Sequence, residues 1–246
     1  MKNIRDLFRA NSALRKFKPR ILHIMRPELT PTQSLAKMVA GMETPVLLDV
    51  GSNVGQFGID FRNSGFKGRI ISYEPVKSVF NNLKKSSSKY QPWEIVNRAL
   101  GSSNHESLIN VSNNSGLSSS LLKISREHLQ AFPDSYTTST EVIEIVTLDS
   151  EVNRLKLNLS ETILKIDVQG YESEVIEGGL IAIPQISYII LELSLLSLYE
   201  NEKTFLEVLN RLEGLGHRVV DIHRGIHGRD GLLLQVDVIT KSTRIL

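Results

Sequence analysis

The sequence predicts an α/β fold built on one mostly parallel sheet of seven strands that ends in an antiparallel hairpin. Seven apolar runs of strand length follow Pro45, and helical stretches separate most of them. Several runs are continuously apolar rather than alternating, which is typical of strands covered on both faces. Residues 224–231 alone separate the last two runs. This spacing is too short for a parallel crossover, so it predicts a hairpin.

The predicted elements alternate between strand and helix along the chain. The strands are expected at 46–50, 69–73, 93–96, 163–168, 188–193, 218–222 and 232–239. Helical patterns fit residues 54–64, 76–86, 171–179 and 201–215. Such alternation builds right-handed crossover units on a parallel sheet. With 246 residues, 41% of them hydrophobic, the chain is long enough to bury one core of this kind.

A segment of about residues 101–146 is longer than an ordinary connection and is interpreted as an insertion. Residues 108–112 and 142–148 resemble two further strands, and a short helix is expected around 125–131. The polar run SNNSGLSSS lies between them, at 112–120. A long polar loop inside a compact domain serves either as a lid over a binding site or as a flexible connection.

The beginning of the chain differs from the rest. Residues 1–43 are expected to form a helical extension, broken near Pro27 and Pro31, ahead of the main α/β domain at 44–246. The chain has no cysteine, which excludes disulfides, thiolate metal sites and cysteine nucleophiles. No apolar run is long enough to span a membrane and no export signal is visible, so a cytoplasmic protein is expected.

The formal net charge of +2 is unevenly distributed along the chain. Residues 1–28 carry eight Lys and Arg against Asp6 and Glu28, which leaves 21 basic and 25 acidic residues, a net charge of −4, elsewhere. The basic arm fits either a solvated helix or a peripheral contact with an anionic membrane surface or an acidic partner. The mildly acidic remainder of the chain argues against nucleic acid as a substrate.

The stretch LLDVGSNVGQFG at residues 47–58 predicts a ligand-binding turn between a strand and a helix. Gly51 permits a tight turn with a close approach of backbone to ligand, and Gly55 permits close packing of the helix. The glycine spacing differs from the GxGxxG pattern of dinucleotide-binding enzymes. Asp49 would repel a pyrophosphate but would suit a cationic ligand, and S-adenosylmethionine is such a ligand.

A carboxylate follows the second predicted strand, in the sequence Tyr73-Glu74-Pro75. Because the carboxyl ends of parallel strands meet at one edge of the sheet, Glu74 is expected beside the glycine-rich turn. A carboxylate at this position can accept hydrogen bonds from both hydroxyls of a ribose. Either feature alone is weak evidence, but together they favour binding of a nucleoside-containing ligand.

Several motifs in order resemble the FkbM family of methyltransferases. The resemblance covers residues 46–240 and rests on DVGSNVG, YEP, TLDS, LKIDVQGYE, LELS and GLLLQVDVIT. It implies a Rossmann-like class I methyltransferase sheet of seven strands with an antiparallel last strand, and S-adenosylmethionine as cofactor. It also implies transfer of a methyl group to a hydroxyl oxygen of a sugar, glycan or secondary metabolite. One departure is Gln169, where the family usually has Glu, which weakens any mechanism that needs an acid there.

The resemblance also implies roles for individual residues. The methionine end of the cofactor is expected near Asp49, Gly51, Asn53 and Gly55, the ribose at Glu74, and the adenine near Asn97.

For catalysis, Asp167 is the first candidate for the base that takes the hydroxyl proton, followed by Glu172 and Glu192. The alternative for Asp167 is a structural carboxylate that accepts backbone amides at the turn after its strand. Asp167 and Glu192 end neighbouring strands and could share Mg²⁺, although the sequence offers no obvious further ligands. His128 and His223 are alternative bases, unless they fill ordinary polar roles.

Three functions are therefore compared. The first is O-methylation of a small-molecule or glycan acceptor. The second is a nucleotide-cofactor oxidoreductase that uses the same crevice, against which the glycine spacing, Asp49 and the terminal hairpin all count. The third is a non-catalytic module that retains the fold.

Overall fold

The computed structural model describes residues 28–114 and 116–245. The chain divides into two compact units, residues 1–30 and 31–246, and only 28–30 of the first are described. The basic arm therefore lies outside the described residues, and its membrane contact stays a prediction. Within the described part, no helix is long and apolar enough to cross a membrane.

A seven-stranded sheet forms the centre of the second unit. Its strands are β1 (Val46–Val50), β2 (Arg69–Tyr73), β3 (Trp93–Val96), β7 (Thr162–Ile166), β8 (Tyr188–Ser194), β9 (His217–Arg224) and β10 (Gln235–Ser242). Their order in the sheet is β3-β2-β1-β7-β8-β10-β9. Pairing is parallel from β3 to β8, whereas β10 runs antiparallel to both of its neighbours. The predicted fold class and its terminal hairpin are thereby confirmed.

Helices cover both faces of this sheet, as the continuously apolar strands predict. Alternate residues of β1 belong to different cores, because Leu47 packs in one hydrophobic cluster and Leu48 in the other. The first cluster contains residues of α1 (Pro31–Met38), α2 (Gln56–Asn63) and α3 (Lys77–Ser87). The second contains residues of α5 (Leu148–Leu155), α6 (Glu172–Glu177) and α7 (Phe205–Gly214).

The insertion contains one short helix and, together with residues 99–100, forms a separate three-stranded sheet. Its strands are β4 (Ala99–Leu100), β5 (His105–Ser112) and β6 (Thr137–Val146), in the order β4-β6-β5. The helix is α4 (Arg126–Ala131). This small sheet buries its own cluster, which includes Ile109 and Ile145.

Two predicted boundaries are wrong for identifiable physical reasons. The strand expected at 142–148 ends at Val146, because Thr147 caps α5 by accepting a hydrogen bond from the backbone amide of Ser150 (3.2 Å). The strand expected to reach residue 168 ends at Ile166. Shortly beyond it the backbone turns sharply, with Gln169 at φ 57° and Gly170 at φ 94°.

Candidate functional site

A cavity of about 530 Å³ lies at the carboxyl ends of the central strands and extends to the insertion. This is the edge where open α/β sheets bind ligands, and the volume falls within the usual range for small-molecule sites. The loop after β1, the loop after β7 and the insertion all contribute lining residues. Among the predicted site residues, the lining includes Gly51, Asn53, Glu74, Asp167 and Glu192.

The loop after β1 brings bare backbone to the cavity wall. Gly51 adopts φ 73°, and a Cβ built on it would lie 1.8 Å from the carbonyl oxygen of Asp167. No other residue fits this position without displacing the backbone. The amides of Gly51 and Ser52 both donate to the carbonyl of Tyr73 (3.1 Å), which fixes the loop to the end of β2. Gly55, at φ 92°, then starts α2 outside the lining of the cavity, and a Cβ built on it would lie 3.0 Å from the Leu83 side chain.

Glu74 projects a buried carboxylate towards the cavity. It accepts hydrogen bonds from the backbone amides of Asn53 (3.0 Å) and Val76 (2.9 Å). Burial raises the pKa of Glu74 to about 7, although these two hydrogen bonds act in the opposite direction. A carboxylate has about four acceptor positions, so two remain for hydroxyl donors on a ligand.

Asp49 does not line the cavity. It is fully buried beneath the glycine loop, where it accepts a hydrogen bond from the Ser72 hydroxyl (3.0 Å). It also forms an ion pair with Lys165 (3.2 Å). Lys165 lies 3.2 Å from Asp167 as well, and it donates to the carbonyl of Gly51 (2.7 Å). Asp49 thus supports the loop through Lys165 instead of facing a ligand directly.

Lys165 lines the cavity, and the sequence analysis missed it. Burial alone would lower its pKa, but the carboxylates of Asp167 and Asp49 raise the pKa above its ordinary value, so the ammonium stays charged. The residue is the lysine of LKIDVQGYE. A lysine within a continuously apolar strand was the available signal, since a buried cation needs an acidic partner nearby.

Asn97 also lies away from the lining of the cavity. Its side-chain amide donates to the backbone carbonyls of Glu74 (2.9 Å) and Pro75 (2.8 Å). It therefore holds the turn that carries Glu74, whereas the neighbouring residues Arg98 and Ala99 reach the cavity.

Gln169 connects two of the candidate catalytic carboxylates. Its amide nitrogen donates to Asp167 (2.8 Å) and to Glu192 (3.0 Å), while its carbonyl oxygen accepts from the Tyr199 hydroxyl (2.8 Å). A glutamate here would put a third carboxylate between two others. The amide instead satisfies both acidic groups, which gives a physical role to the departure from the family pattern.

Glu172 is a structural carboxylate. It is buried outside the lining of the cavity and accepts the backbone amides of Val168 (3.1 Å) and Gly170 (3.2 Å). Burial raises its pKa to about 8. Glu172 occupies the role that the sequence analysis offered as the alternative for Asp167, while Asp167 itself faces the cavity.

The terminal hairpin adds two residues that were not predicted, Gln235 and Asp237. Asp237 pairs in register with Glu192 on β8, and the Gln235 side chain donates to Glu192 (2.9 Å). Both line the cavity. Burial and the nearby charge of Asp167 raise the pKa of Asp237 to about 6, and burial together with Asp167 and Asp237 raises that of Glu192.

The described histidines have different environments. His223 lies 3.1 Å from Asp221 and outside the cavity lining, whereas His128 lines the cavity from the insertion. No group of three or more His, Asp or Glu side chains with the arrangement of a metal site occurs in residues 28–114 and 116–245. A Mg²⁺ ion shared by Asp167 and Glu192 accordingly receives no support.

Comparison with solved structures gives a broad but distant set of similar folds. An rRNA methylase from Streptococcus thermophilus has 9% identity and a TM-score of 0.49, covering 88% of this chain and 99% of that one. Magnesium protoporphyrin IX methyltransferase from Synechocystis, solved with its bound methyl donor, has 9% identity and a TM-score of 0.48. The match covers 98% of this chain and 95% of that one. The 1,6-didemethyltoxoflavin-N1-methyltransferase from Burkholderia thailandensis has 10% identity and a TM-score of 0.45. The match covers 92% of this chain and 83% of that one.

The acceptors named for these three proteins differ in kind, so they identify no acceptor for this chain. No curated protein sequence shows significant similarity to it. The methyltransferase FkbM domain, however, matches residues 49–219, which is most of the chain and includes the glycine loop, Glu74 and the Asp167 turn. The chain therefore belongs to the FkbM-domain methyltransferases, and its cofactor is S-adenosylmethionine.

Proposed function

We propose that the protein transfers a methyl group from S-adenosylmethionine to a hydroxyl oxygen of a glycan, sugar or secondary metabolite. The observation that carries this proposal is the set of carboxylates facing the cavity beside the glycine loop, Asp167, Glu192 and Asp237. Carboxylates accept hydrogen bonds from hydroxyl groups, and such bonds to charged groups are among the stronger ones in proteins. The same surface would disfavour an acceptor rich in phosphate.

On the donor side, the residues present fit the cofactor. Gly51 and Asn53 line the cavity and form the cradle proposed for its methionine end, Gly55 begins the helix that follows, and Glu74 has acceptor positions for the ribose hydroxyls. Asp49 contributes through Lys165, and Asn97 through the backbone that carries Glu74. When bound, S-adenosylmethionine supplies a methyl group on a sulfonium sulphur.

On the acceptor side, we assign Asp167 and Glu192 to positioning. Both oxygens of Asp167 are already engaged, one by Gln169 (2.8 Å) and the other by Lys165 (3.2 Å). Asp167 is therefore better suited to orient a neighbouring hydroxyl than to take a proton, and Glu172 lies too deep to do either. Correct orientation alone can contribute about 7–11 kcal/mol to lowering a reaction barrier.

The two other functions considered have less support. Membership of a methyltransferase family and a glycine spacing unlike the dinucleotide pattern both speak against an oxidoreductase. A non-catalytic module would have no need for a cavity with carboxylates on its acceptor side. The cavity lies partly under the insertion, which favours a small acceptor or the end of a glycan.

The proposal is tested with S-adenosylmethionine labelled in its methyl group. The purified protein is offered sugar nucleotides, lipid-linked glycans, a metabolite extract and RNA. The labelled product is treated with mild alkali to remove methyl esters, and the NMR chemical shift of the labelled methyl group identifies the atom that carries it. We expect alkali-stable label, as in a methyl ether. Label on nitrogen or carbon, label in RNA, or no transfer to any fraction would contradict O-methylation.

A substitution at Asp167 separates positioning from cofactor binding. We expect Asp167→Asn to lower turnover more than it lowers affinity for S-adenosylhomocysteine, because the amide keeps the size of the side chain but loses its charge. Calorimetry gives the affinity and the labelled assay gives the turnover. Unaltered turnover would leave Asp167 with a purely structural role.

A further inference from the structure

His128 is a buried histidine without a partner. Its side chain is 2% exposed and lines the cavity, yet neither ring nitrogen has a hydrogen-bond partner among the described residues. The rings of Phe132 and Tyr199 pack against it, each with a centroid distance of 5.2 Å. Buried polar groups in folded proteins are nearly always hydrogen-bonded, so an exception requires an explanation.

His217 provides a comparison within the same chain. It is also 2% exposed, but its two ring nitrogens lie 3.0 Å from the Thr240 hydroxyl and 2.9 Å from the carbonyl of Ile183. His217 is thus a satisfied structural histidine. His128 leaves both nitrogens for a ligand in the cavity, at the cost of an unpaired polar group in the folded protein.

The helix that carries His128 is fixed to the main sheet. Ser125, which caps α4, donates its amide to the carbonyl of Leu198 (3.0 Å) and its hydroxyl to the carbonyl of Ser197 (3.0 Å). Both carbonyls belong to the loop after β8. The adjacent Tyr199 donates its hydroxyl to Gln169, which in turn holds Asp167. The ring of His128 therefore has a defined position on the wall of the cavity that also presents these carboxylates.

We propose, building on the proposed function, that His128 is the catalytic residue that accepts the hydrogen bond and then the proton of the acceptor hydroxyl. The hydroxyl oxygen forms the new O–CH3 bond while the S–CH3 bond breaks. The sulphur keeps that electron pair and leaves as neutral S-adenosylhomocysteine. The proton moves to a ring nitrogen of His128, and the imidazolium returns it to water after the product departs.

The surroundings keep the ring in the form that this step requires. Burial lowers the pKa of His128, so the ring is neutral near pH 7 and has a free lone pair. Tyr199 packs against the ring, and Glu202 follows it in the loop after β8. The cavity that His128 lines also presents several charged or titratable side chains, namely Asp60, Tyr73, Glu74, Arg98, Lys165, Asp167, Tyr171, Glu192 and Asp237. Arg126 and Glu127 on α4 itself are exposed. None of these forms an ion pair with His128 in the part of the chain that the structure describes.

Two substitutions separate proton transfer from packing. His128→Gln retains a hydrogen-bonding side chain but cannot take a proton, whereas His128→Leu removes the unpaired polar group at similar volume. The control is His105→Gln, which changes an exposed histidine on β5. Transfer of the labelled methyl group to the metabolite extract is measured against pH at saturating S-adenosylmethionine, and calorimetry gives the affinity for S-adenosylhomocysteine.

We expect His128→Gln to lower turnover by about 10²–10⁴-fold with cofactor affinity within about twofold, which is the range for removal of a general base. It should also lose the rise in turnover that the wild type shows as His128 deprotonates. Glu74 and Asp237, with pKa values of about 7 and about 6, also titrate but are retained in the variant, so the difference between the two profiles isolates His128. His128→Leu should raise the midpoint of thermal unfolding by about 2–4 °C, because a buried unsatisfied group is removed.

The inference is overturned if His128→Gln turns over at the wild-type rate with the same pH profile. It is also overturned if both variants unfold at lower temperature and lose activity in proportion, since that assigns His128 to packing. Absence of transfer by the wild type would instead overturn the proposed function, and this inference with it.

Discussion

Gly51 shows how one residue type can be dictated by contact and by backbone geometry together. Its φ of 73° is costly for any side chain, and the carbonyl oxygen of Asp167 occupies the place of a Cβ. Gly65 shares only the first constraint, with φ 103° and nothing within 4 Å of a built Cβ. Substitutions at these two glycines therefore separate the energetic cost of backbone strain from the cost of the close contact with Asp167.

We expect Gly51→Ala to destabilise the protein more than Gly65→Ala does. The latter should cost about 1–2 kcal/mol, the usual penalty for a side chain in the left-handed region. Gly51→Ala should cost more and abolish cofactor binding, because the loop must move away from the β7 turn. Urea unfolding and calorimetry provide the two measurements. Equal destabilisation by the two substitutions would mean that the close approach has no energetic consequence.

At the scale of elements, the site depends on how the insertion is fixed to the sheet. The hydroxyl of Ser125 accepts from the amide of His128 (3.1 Å) while donating to the loop after β8. Thr204 caps α7 in a comparable way, but it lies outside the cavity lining. Substitutions at Ser125 and Thr204 therefore form a matched pair for testing how the insertion is attached to the loop after β8.

Ser125→Ala should lower stability by about 1 kcal/mol, and so should Thr204→Ala, since both remove a helix cap. Only Ser125→Ala should accelerate hydrogen exchange of the amides at 121–131 and reduce turnover. Hydrogen exchange followed by mass spectrometry resolves the two regions. Faster exchange at 121–131 in Thr204→Ala, or none in Ser125→Ala, would contradict the proposed anchoring.

Sequence reasoning located the elements of the site better than the orientation of its side chains. The strand tips and both glycines of the loop were predicted, because periodicity and turn chemistry are local. The inward direction of Asp49 was not, since it depends on which face of β1 meets Lys165 and Ser72. Asp237 was missed for a different reason: its proximity to Glu192 arises from the antiparallel pairing of β10 with β8.

For the molecule as a whole, the buried carboxylates couple stability to pH. Burial raises the pKa of Glu74 to about 7, of Glu172 to about 8 and of Asp237 to about 6, against ordinary values of 4.5, 4.5 and 3.8. At pH values between its ordinary pKa and its raised pKa, each group binds more protons in the folded chain than in the unfolded chain. Stability is therefore greatest at the acidic end of this window and falls as pH rises through it.

We expect the free energy of unfolding of the cofactor-free protein to decrease between about pH 5 and about pH 8, by up to about 1.4 kcal/mol per pH unit for each group. Urea unfolding at a series of pH values measures this slope. Glu74→Gln should flatten it near pH 7, whereas the exposed Glu106→Gln should leave it unchanged. A stability that rises with pH over this range would contradict the assignment of protonated buried carboxylates.

The most direct test of the whole account is calorimetric titration with S-adenosylhomocysteine. The wild type should bind one equivalent, Glu74→Ala should bind at least about tenfold more weakly through loss of a charge-assisted hydrogen bond to the ribose, and Glu106→Ala should bind like the wild type. Affinity of the wild type should increase as Glu74 ionises, around pH 7. No heat with the wild type, or an unchanged affinity in Glu74→Ala, would show that the cofactor is not held by the loop after β1 and Glu74.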